Sequence, residues 1–196
     1  MSMKENIYLK TPRILEMIEA DTKAIGFSMA SERLTGAFLR ALVASKPKSN
    51  ILELGTGTGI STAWLLDGMD EESHLTTVDN NIDCVEIAKR HLGKDRRVTF
   101  HIEGGMKFLS GVQGKTFDLI FADTWPGKFV GMELALAVLK VGGFYVIDDL
   151  LPQPSWPEDH APKIPKLVES LLQRRDLVIC PMSWSSGLLV GVKTER

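Results

Sequence analysis

Several features are scarce in this 196-residue chain, and each scarcity argues against a class of protein. The two cysteines, Cys84 and Cys180, lie far apart without a CxxC pair, which fits a reducing cytoplasm better than a disulfide scaffold. The four histidines form no HExxH motif, so there is no zinc-protease signature. No apolar run approaches the roughly 18 residues of a membrane span, and residues 1–6 lack the apolar run of a signal peptide. We therefore expect a soluble, cytoplasmic protein without a membrane partner.

The chain also has no large excess of positive or negative charge. The formal net charge is −2 and the basic residues are scattered, so we expect no nucleic-acid partner and favour a small-molecule substrate. With 44% apolar and 24% charged residues, the chain can bury a full core. We expect one domain over residues 1–196, with N-terminal helices in residues 1–47 and the core in residues 48–196. The N-terminal helices could cap a site or form a homodimer.

What the chain does contain is an alternation of strand-like and helix-like runs, which predicts a parallel sheet with helices on both faces. The predicted strands are Asn50–Leu54, His74–Asp79, Val98–Ile102, Phe117–Ala122, Phe144–Asp148, Leu177–Cys180 and Gly187–Val192. The predicted helices are Thr11–Ala24, Ser31–Ser45, Ser61–Leu66, Ile82–His91, Gly105–Leu109, Phe129–Leu139 and Ile164–Arg174. Pro12 would open the first helix and Ser31 would cap the second.

The C-terminal part departs from this alternation. Five prolines in residues 151–165 predict a stiff extended loop. The last two strands are separated by about six residues, which permits a hairpin but no crossover helix, so the seventh strand should be antiparallel. The expected fold is therefore an α/β, Rossmann-like three-layer sandwich with a seven-stranded, mostly parallel sheet.

A glycine-rich motif follows the first core strand. Residues 53–61 read ELGTGTGIS, where glycines let the backbone approach a ligand and the next helix offers free N–H groups. Ile60 stands where the dehydrogenase motif GxGxxG needs glycine. Asp79 lies 20 residues beyond Gly59, where a carboxylate can accept hydrogen bonds from both ribose hydroxyls. The alternative is an ordinary strand-to-helix turn, with Asp79 capping the helix that begins at Ile82.

With these motifs, residues 25–192 resemble the class I methyltransferases, and more narrowly the small-molecule O-methyltransferases related to catechol and caffeoyl-coenzyme A O-methyltransferase. The resemblance implies the cofactor S-adenosylmethionine (SAM). It implies that the glycine motif holds the methionine part, that Asp79 holds the ribose, that residues 104–106 lie against the adenine, and that Met29 lies near the methyl group. The implied cofactor positions are Met29, Glu53, Gly55, Thr56, Gly57, Gly59, Ser61, Asp79, Asn80, Gly104, Gly105, Met106, Asp123 and Trp125.

Three carboxylates follow adjacent strands, because the fourth strand leads into Asp123 and the fifth ends at Asp148 and Asp149. Ligands bind at this carboxyl edge in open α/β sheets. The resemblance implies that the three aspartates bind Mg2+ or another divalent cation, although the family has asparagine at the position of Asp149. Alternatively, Asp123 contacts only the cofactor amine, while Asp148 and Asp149 begin a turn.

The catalytic candidates are Asp123 and Lys128. Catechol methyltransferases carry a basic lysine directly after an Asp-x-Trp motif, but Pro126 stands there in this sequence and Lys128 follows two residues later. A lysine with a lowered pKa could act as the base. The alternative is a solvated lysine at a helix start.

Three of the four tryptophans, Trp125, Trp156 and Trp184, follow strands four, five and six and should share one edge of the sheet. We expect an aromatic pocket under a lid formed by residues 152–165, unless these tryptophans pack on each other or at a dimer contact. His160 is expected on the surface, and Trp64 in the structural core.

These features predict a SAM-dependent O-methyltransferase for a small aromatic or vicinal-oxygen acceptor. The competing interpretations are a non-catalytic nucleoside-binding scaffold on the same fold, an aminopropyl transferase, and a nicotinamide oxidoreductase, which Ile60 and the terminal hairpin disfavour.

Overall fold

The structure of the protein, a computed structural model, describes residues 9–195, so residues 1–6, considered above for a signal peptide, lie outside it. The helices are α1 (Leu15–Ala24), α2 (Arg33–Ala44), α3 (Ile60–Gly68), α4 (Ile82–Leu92), α5 (Gly105–Gly111), α6 (Met132–Ala137) and α7 (Ile164–Leu172). The strands are β1 (Asn50–Leu54), β2 (His74–Asp79), β3 (Val98–Ile102), β4 (Phe117–Ala122), β5 (Leu139–Ile147), β6 (Leu177–Met182) and β7 (Leu188–Lys193).

The seven strands form one sheet in the order β3-β2-β1-β4-β5-β7-β6. Strands β1 to β5 pair in parallel, whereas β7 pairs antiparallel with both β5 and β6. The predicted mostly parallel, seven-stranded sheet with an antiparallel C-terminal strand is therefore confirmed. Because the carboxyl ends of β1, β2, β4 and β5 share one edge, the segments that follow these strands meet there.

Two apolar clusters, one on each face of the sheet, hold the three layers together. Adjacent residues of β1 enter different clusters, since Ile51 packs with α1, α2 and α3 and Leu52 packs with α5, α6 and α7. Trp64 lies fully buried in the first cluster, as predicted, and a Cβ built on Gly36 would lie 2.2 Å from its ring. Helices α2 and α3 therefore pack so closely that only glycine fits between them.

The first two helices begin later than predicted. Residue Leu15 donates a hydrogen bond to the carbonyl of Pro12 at 3.0 Å, so Pro12 lies in a turn before α1. Helix α2 begins at Arg33 after Glu32, without a side-chain cap. The predicted cap at Ser31 is wrong, because the Ser31 hydroxyl donates instead to Asp123 at 2.8 Å.

The predicted helix over residues 129–139 is wrong at both ends. The Trp125 carbonyl accepts hydrogen bonds from the amides of residues 128, 129 and 130, which closes a turn where the helix was expected to begin. Helix α6 then ends at Ala137, and β5 begins at Leu139, five residues earlier than predicted. The Val138 carbonyl accepts from Phe117 of β4 at 2.8 Å, so pairing with β4 draws residues 139–143 into the sheet.

The proline-rich segment is a loop only in part. It contains a 3-10 helix, Ala161–Lys163, and Pro165 lies in the first turn of α7, where its missing N–H is tolerated. Within residues 9–195, none of the helices is both long and apolar enough to cross a bilayer.

Candidate active site

The glycine loop, residues 55–59, links β1 to α3 at the carboxyl edge. Gly59 has a φ of 95°, and a Cβ at this position would lie 2.9 Å from Cβ of Ala88 in α4. Only glycine combines this left-handed backbone with so close an approach. The first turn of α3, with Ser61, therefore faces the cavity beside the loop with N–H groups suited to a carboxylate.

Two pairs of hydroxyl groups fix the glycine loop to its surroundings. Thr56 shares a hydrogen bond of 2.6 Å with Thr77 of β2, and Thr58 shares one of 2.7 Å with Thr22 of α1. All four side chains are buried, so these hydrogen bonds hold the loop in one conformation before a ligand arrives.

Asp79 projects into the same cavity from the end of β2. One carboxylate oxygen accepts from the amide of Gly57 at 2.8 Å and the other from the amide of Asn81 at 2.9 Å. A carboxylate offers about four acceptor positions, so roughly two remain for ribose hydroxyls. Asp79 does not cap α4, because Asn81 is the N-cap and accepts from Cys84 at 3.2 Å.

Glu53 lies beneath the glycine loop. Its Oε2 accepts from the hydroxyls of Thr62 and Thr77, each at 2.6 Å, whereas its buried Oε1 has no partner among residues 9–195. Burial raises the pKa of this carboxyl to about 7. Glu53 does not line the cavity and supports the loop from below, so its contact with the cofactor, which the resemblance implies, stays a prediction.

The acidic side of the cavity lies at the ends of β4 and β5. Asp123 accepts a hydrogen bond from Ser31, and burial, with the nearby charges of Asp148 and Asp149, holds the pKa of its carboxyl well above the usual range. Asp149 also lines the cavity, and its φ of 56° is a left-handed conformation that aspartate tolerates. Its pKa is raised, chiefly by burial.

Asp148 is turned into the protein. It is 1% exposed, and its Oδ1 accepts hydrogen bonds from the hydroxyl of Ser186 and from the amide of Asp149, the latter at 2.7 Å. Ser186 is also hydrogen-bonded to Thr35 of α2 at 3.1 Å. Burial, followed by the charge of Asp149, raises the pKa of Asp148 to about 7. This carboxyl therefore belongs to a buried polar network between α2 and the β6–β7 turn.

Lys128 is buried as well, which corrects the alternative of a solvated lysine. It is 2% exposed and lines the cavity, and its Nζ donates to the carbonyls of Asp148 at 2.6 Å and Asp149 at 3.4 Å. Burial lowers the pKa of its ammonium group, against the attraction of the three aspartates.

Trp125, Trp156 and His160 form the aromatic wall of the cavity. The rings of Trp156 and His160 stack at 4.3 Å, and Lys163 lies 4.0 Å above the ring of Trp125. Trp184 is not part of this wall, since it packs edge-on against Phe38 at 6.2 Å. Two of the three predicted tryptophans therefore face the cavity, which has a volume of about 350 Å³.

The profile of the family described as O-methyltransferase matches residues 3–181, most of the chain. The chain belongs to the O-methyltransferase family. A curated relative from Mycobacterium sp. (strain JLS), provisionally named an O-methyltransferase, is 34% identical over 121 residues, which are 57% of this chain and 53% of the relative. The chain thus spans about half the length of the curated relatives that it matches.

Solved O-methyltransferase structures share the fold. TomG from Streptomyces achromogenes, solved in complex with SAM, has a TM-score of 0.82 and 20% identity, with coverage of 96% of this chain and 93% of TomG. An O-methyltransferase from Bacillus cereus, in complex with S-adenosylhomocysteine (SAH), also has a TM-score of 0.82 and 20% identity, covering 96% and 94%. At this identity the likeness establishes the architecture.

Most of the residues predicted to bind SAM surround one cavity of this O-methyltransferase family member. The predicted residues that line it are Met29, Gly55, Thr56, Gly57, Ser61, Asp79, Asn80, Asp123, Trp125, Lys128 and Asp149. Gly59, the last residue of the glycine loop, does not line the cavity. Gly104, Gly105 and Met106 also lie outside the cavity lining; a Cβ on Gly105 would be 2.7 Å from Pro126. Contact of residues 104–106 with adenine stays a prediction.

The aspartates that the family resemblance assigns to a divalent cation do not fit one here. Among residues 9–195, no three His, Cys, Asp or Glu side chains form a group that could hold a metal ion. Asp148 does not line the cavity, and hydrogen bonds from Ser186 and Asp149 occupy its Oδ1. The Asp148 and Asp149 carbonyls, which a hard cation could use, accept from Lys128 instead.

Three residues in or next to the cavity were not predicted from the sequence. His160 was expected on the surface, but it is 6% exposed and lines the cavity, because the lid segment, residues 151–160, folds over the sheet edge. Burial, with the nearby charge of Lys128, lowers its pKa. Ser31 donates to Asp123, 92 residues away in the sequence, and Ser186 donates to Asp148, 38 residues away. No local sequence signal indicates such pairs.

Proposed function

We propose that this protein transfers a methyl group from SAM to an oxygen of a small, planar acceptor. The observation that supports this most directly is that one cavity joins a nucleoside-type site, at the glycine loop and Asp79, to the acidic and aromatic sides at Asp123 and Trp156. SAM and an acceptor could therefore meet without a large movement of the chain.

Each part of the cofactor has a matching group in the cavity. The first turn of α3, with Ser61, would hold the carboxylate, and the two unused acceptor positions of Asp79 would hold the ribose hydroxyls. Asp123, held by Ser31, would place a carboxyl group beside the positively charged part of the cofactor. Bound SAM supplies an electrophilic methyl group on a sulfonium, so the protein has mainly to position and align the acceptor oxygen.

The aromatic wall supports a planar acceptor. Trp125 and Trp156 offer broad apolar surfaces, and the buried Nε1 of Trp156 and Nε2 of His160 have no hydrogen-bond partner among residues 9–195. An aromatic ring that carries neighbouring oxygens would pack on the tryptophans and could satisfy these polar atoms. Lys128 and Asp123 are the side chains that we propose to act at the reacting oxygen.

Calorimetric titration with SAH, SAM and NAD tests the cofactor assignment. SAM and SAH should bind, whereas binding of NAD alone would overturn the proposal. The Asp79→Ala variant loses two charge-assisted hydrogen bonds to the ribose, so its SAH affinity should fall about 100-fold. Asp83→Ala, at an exposed position in the first turn of α4, is the matched control and should keep the wild-type affinity.

Methyl transfer itself is tested by formation of SAH with a panel of catechols, phenols and diamines. Transfer to an oxygen acceptor supports the proposal. Intact SAM binding with no transfer to any oxygen acceptor would favour the non-catalytic nucleoside-binding interpretation. Release of methylthioadenosine from decarboxylated SAM and a diamine, with no SAH formed from SAM, would favour the aminopropyl transferase interpretation.

A further inference from the structure

The position of Lys128 carries a further inference, which rests on the proposed function. Its side chain leaves the turn after β4 and ends beneath the carboxyl edge, between the ends of β4 and β5. The amine therefore lies where the acidic side of the cavity meets two backbone carbonyls. We propose that the Lys128 ammonium is the resident cation of this site, and that it holds the acceptor oxygen in place of a divalent metal ion.

The hydrogen bonds of Lys128 leave one donor for a ligand. An ammonium group has three N–H donors, and the carbonyls of Asp148 and Asp149 accept two of them. No ion pair within residues 9–195 includes Lys128, although its charge acts on Asp123, Asp148 and Asp149. Because Lys128 lines the cavity, its third N–H can donate to an oxygen bound there.

The same contacts disfavour a divalent ion. At this edge the carbonyl oxygens of Asp148 and Asp149 already accept from Lys128, and a metal ion there would lie beside a buried positive charge, where repulsion between cations is strong. The Oδ1 atom of Asp148 already accepts hydrogen bonds from the Ser186 hydroxyl and the Asp149 amide. The buried hydroxyl network thus stabilises the edge without a metal ion.

In the reaction, the ammonium would stabilise the negative charge that develops on the acceptor. The hydroxyl proton passes to solvent water, and the acceptor oxygen forms a bond to the methyl carbon as the carbon–sulfur bond breaks, leaving the electron pair on sulfur. A fixed N–H donor aimed at the oxygen lowers the barrier because it needs no reorganisation during the step. Lys128 remains protonated throughout, so this role differs from that of a general base.

Manganese titration of the SAH-loaded protein tests the proposal without an acceptor. Wild-type protein should show no saturable Mn2+ binding by calorimetry or by electron paramagnetic resonance. Lys128→Ala removes the resident cation and frees two carbonyls beside Asp123 and Asp149, so it should bind Mn2+ at least about tenfold more tightly than wild type. Lys163→Ala, which removes a lysine at the mouth of the cavity, is the control and should behave as wild type.

Each outcome of this titration is decisive. Stoichiometric Mn2+ binding by wild-type protein, lost in Asp149→Gly, which removes the carboxylate and suits the φ of 56° at this position, would overturn the proposal, and so would equally weak binding by wild type and Lys128→Ala. If Lys128→Ala fails to fold, Lys128→Met keeps the side-chain volume, and the wild-type and Asp149→Gly measurements still decide the matter. SAH binding is recorded in the same titrations, so a failure of the cofactor assignment is seen separately.

Discussion

The glycine loop after β1 and the lid segment after β5 reach the same cavity, but they are held in different ways. The glycine loop is positioned by backbone conformation, by hydroxyl pairs with β2 and α1, and by Glu53 of β1. The lid segment depends on individual side chains, such as Trp156 stacked on His160. The glycine loop, the proposed cofactor side of the cavity, is therefore fixed by the fold itself. The lid segment, the proposed acceptor side, can change with few substitutions.

The largest expected effect comes from breaking the glycine loop. Gly59→Ala adds a Cβ in a left-handed backbone 2.9 Å from Ala88, so strain and overpacking should lower the free energy of unfolding by roughly 4 kcal/mol. Urea unfolding measures this change. Gly111→Ala is the control, since nothing lies within 4 Å of its Cβ position, and its stability should stay within about 1 kcal/mol of wild type. Equal losses in both variants would show that the close packing and left-handed backbone at Gly59 do not fix the glycine loop.

The second largest expected effect is a pH dependence of the free energy of unfolding that comes from Glu53. Its pKa rises from 4.5 in the unfolded chain to about 7 in the fold, so the folded state binds the proton more tightly. Preferential protonation of Glu53 in the folded state therefore adds to the free energy of unfolding. This contribution, about 3 kcal/mol, is fully present below about pH 4.5 and is lost as the pH rises through 7. Glu53→Gln cannot titrate, so its free energy of unfolding should gain about 3 kcal/mol relative to wild type between pH 4.5 and 8.

Urea unfolding at several pH values checks this prediction. Glu72→Gln alters an exposed glutamate and should leave the wild-type profile unchanged. Parallel profiles for wild type and Glu53→Gln would show that Glu53 does not titrate differently in the folded and unfolded states.

The smallest expected effect is a change in tryptophan fluorescence, which tests which residues form the aromatic wall. Trp125 and Trp156 line the cavity and Trp184 does not, so the change in tryptophan emission on SAH binding should shrink in Trp125→Phe and Trp156→Phe. It should persist in Trp184→Phe. Each replacement is expected to cost less than about 1.5 kcal/mol of stability. Loss of the signal in Trp184→Phe alone would mean that the aromatic wall is assigned to the wrong residues.

Local signals account for what the sequence predicted well. Strands β1 to β4 have the predicted bounds, because apolar runs between turn signals define them. The start of β5 was missed, since only pairing with β4 draws Leu139 and its successors into the sheet. A contiguous motif likewise revealed the glycine loop, whereas the burial of Lys128 and His160 depends on contacts with distant segments.

The flanking residues explain the error at His160. Glu158 and Asp159 are exposed, which makes the segment look like a solvated loop, yet the ring between Trp156 and Phe129 is buried. Ser31 is a similar case, because the same hydroxyl that suits a helix cap instead reaches Asp123 across the sheet edge. The hydrogen-bond partner of a polar side chain near the start of a helix therefore cannot be predicted from the local sequence.

The contact between Thr35 and Ser186 also bears on how the protein reaches its native state. These residues are 151 positions apart, and they meet only when α2 and the turn after β6 have both docked on the central strands. Bringing such distant segments together is slow, since the entropy of closing a long loop is lost before the contact stabilises anything. The polar network around Asp148 should consequently be among the last parts of the protein to form during refolding, later than the glycine loop.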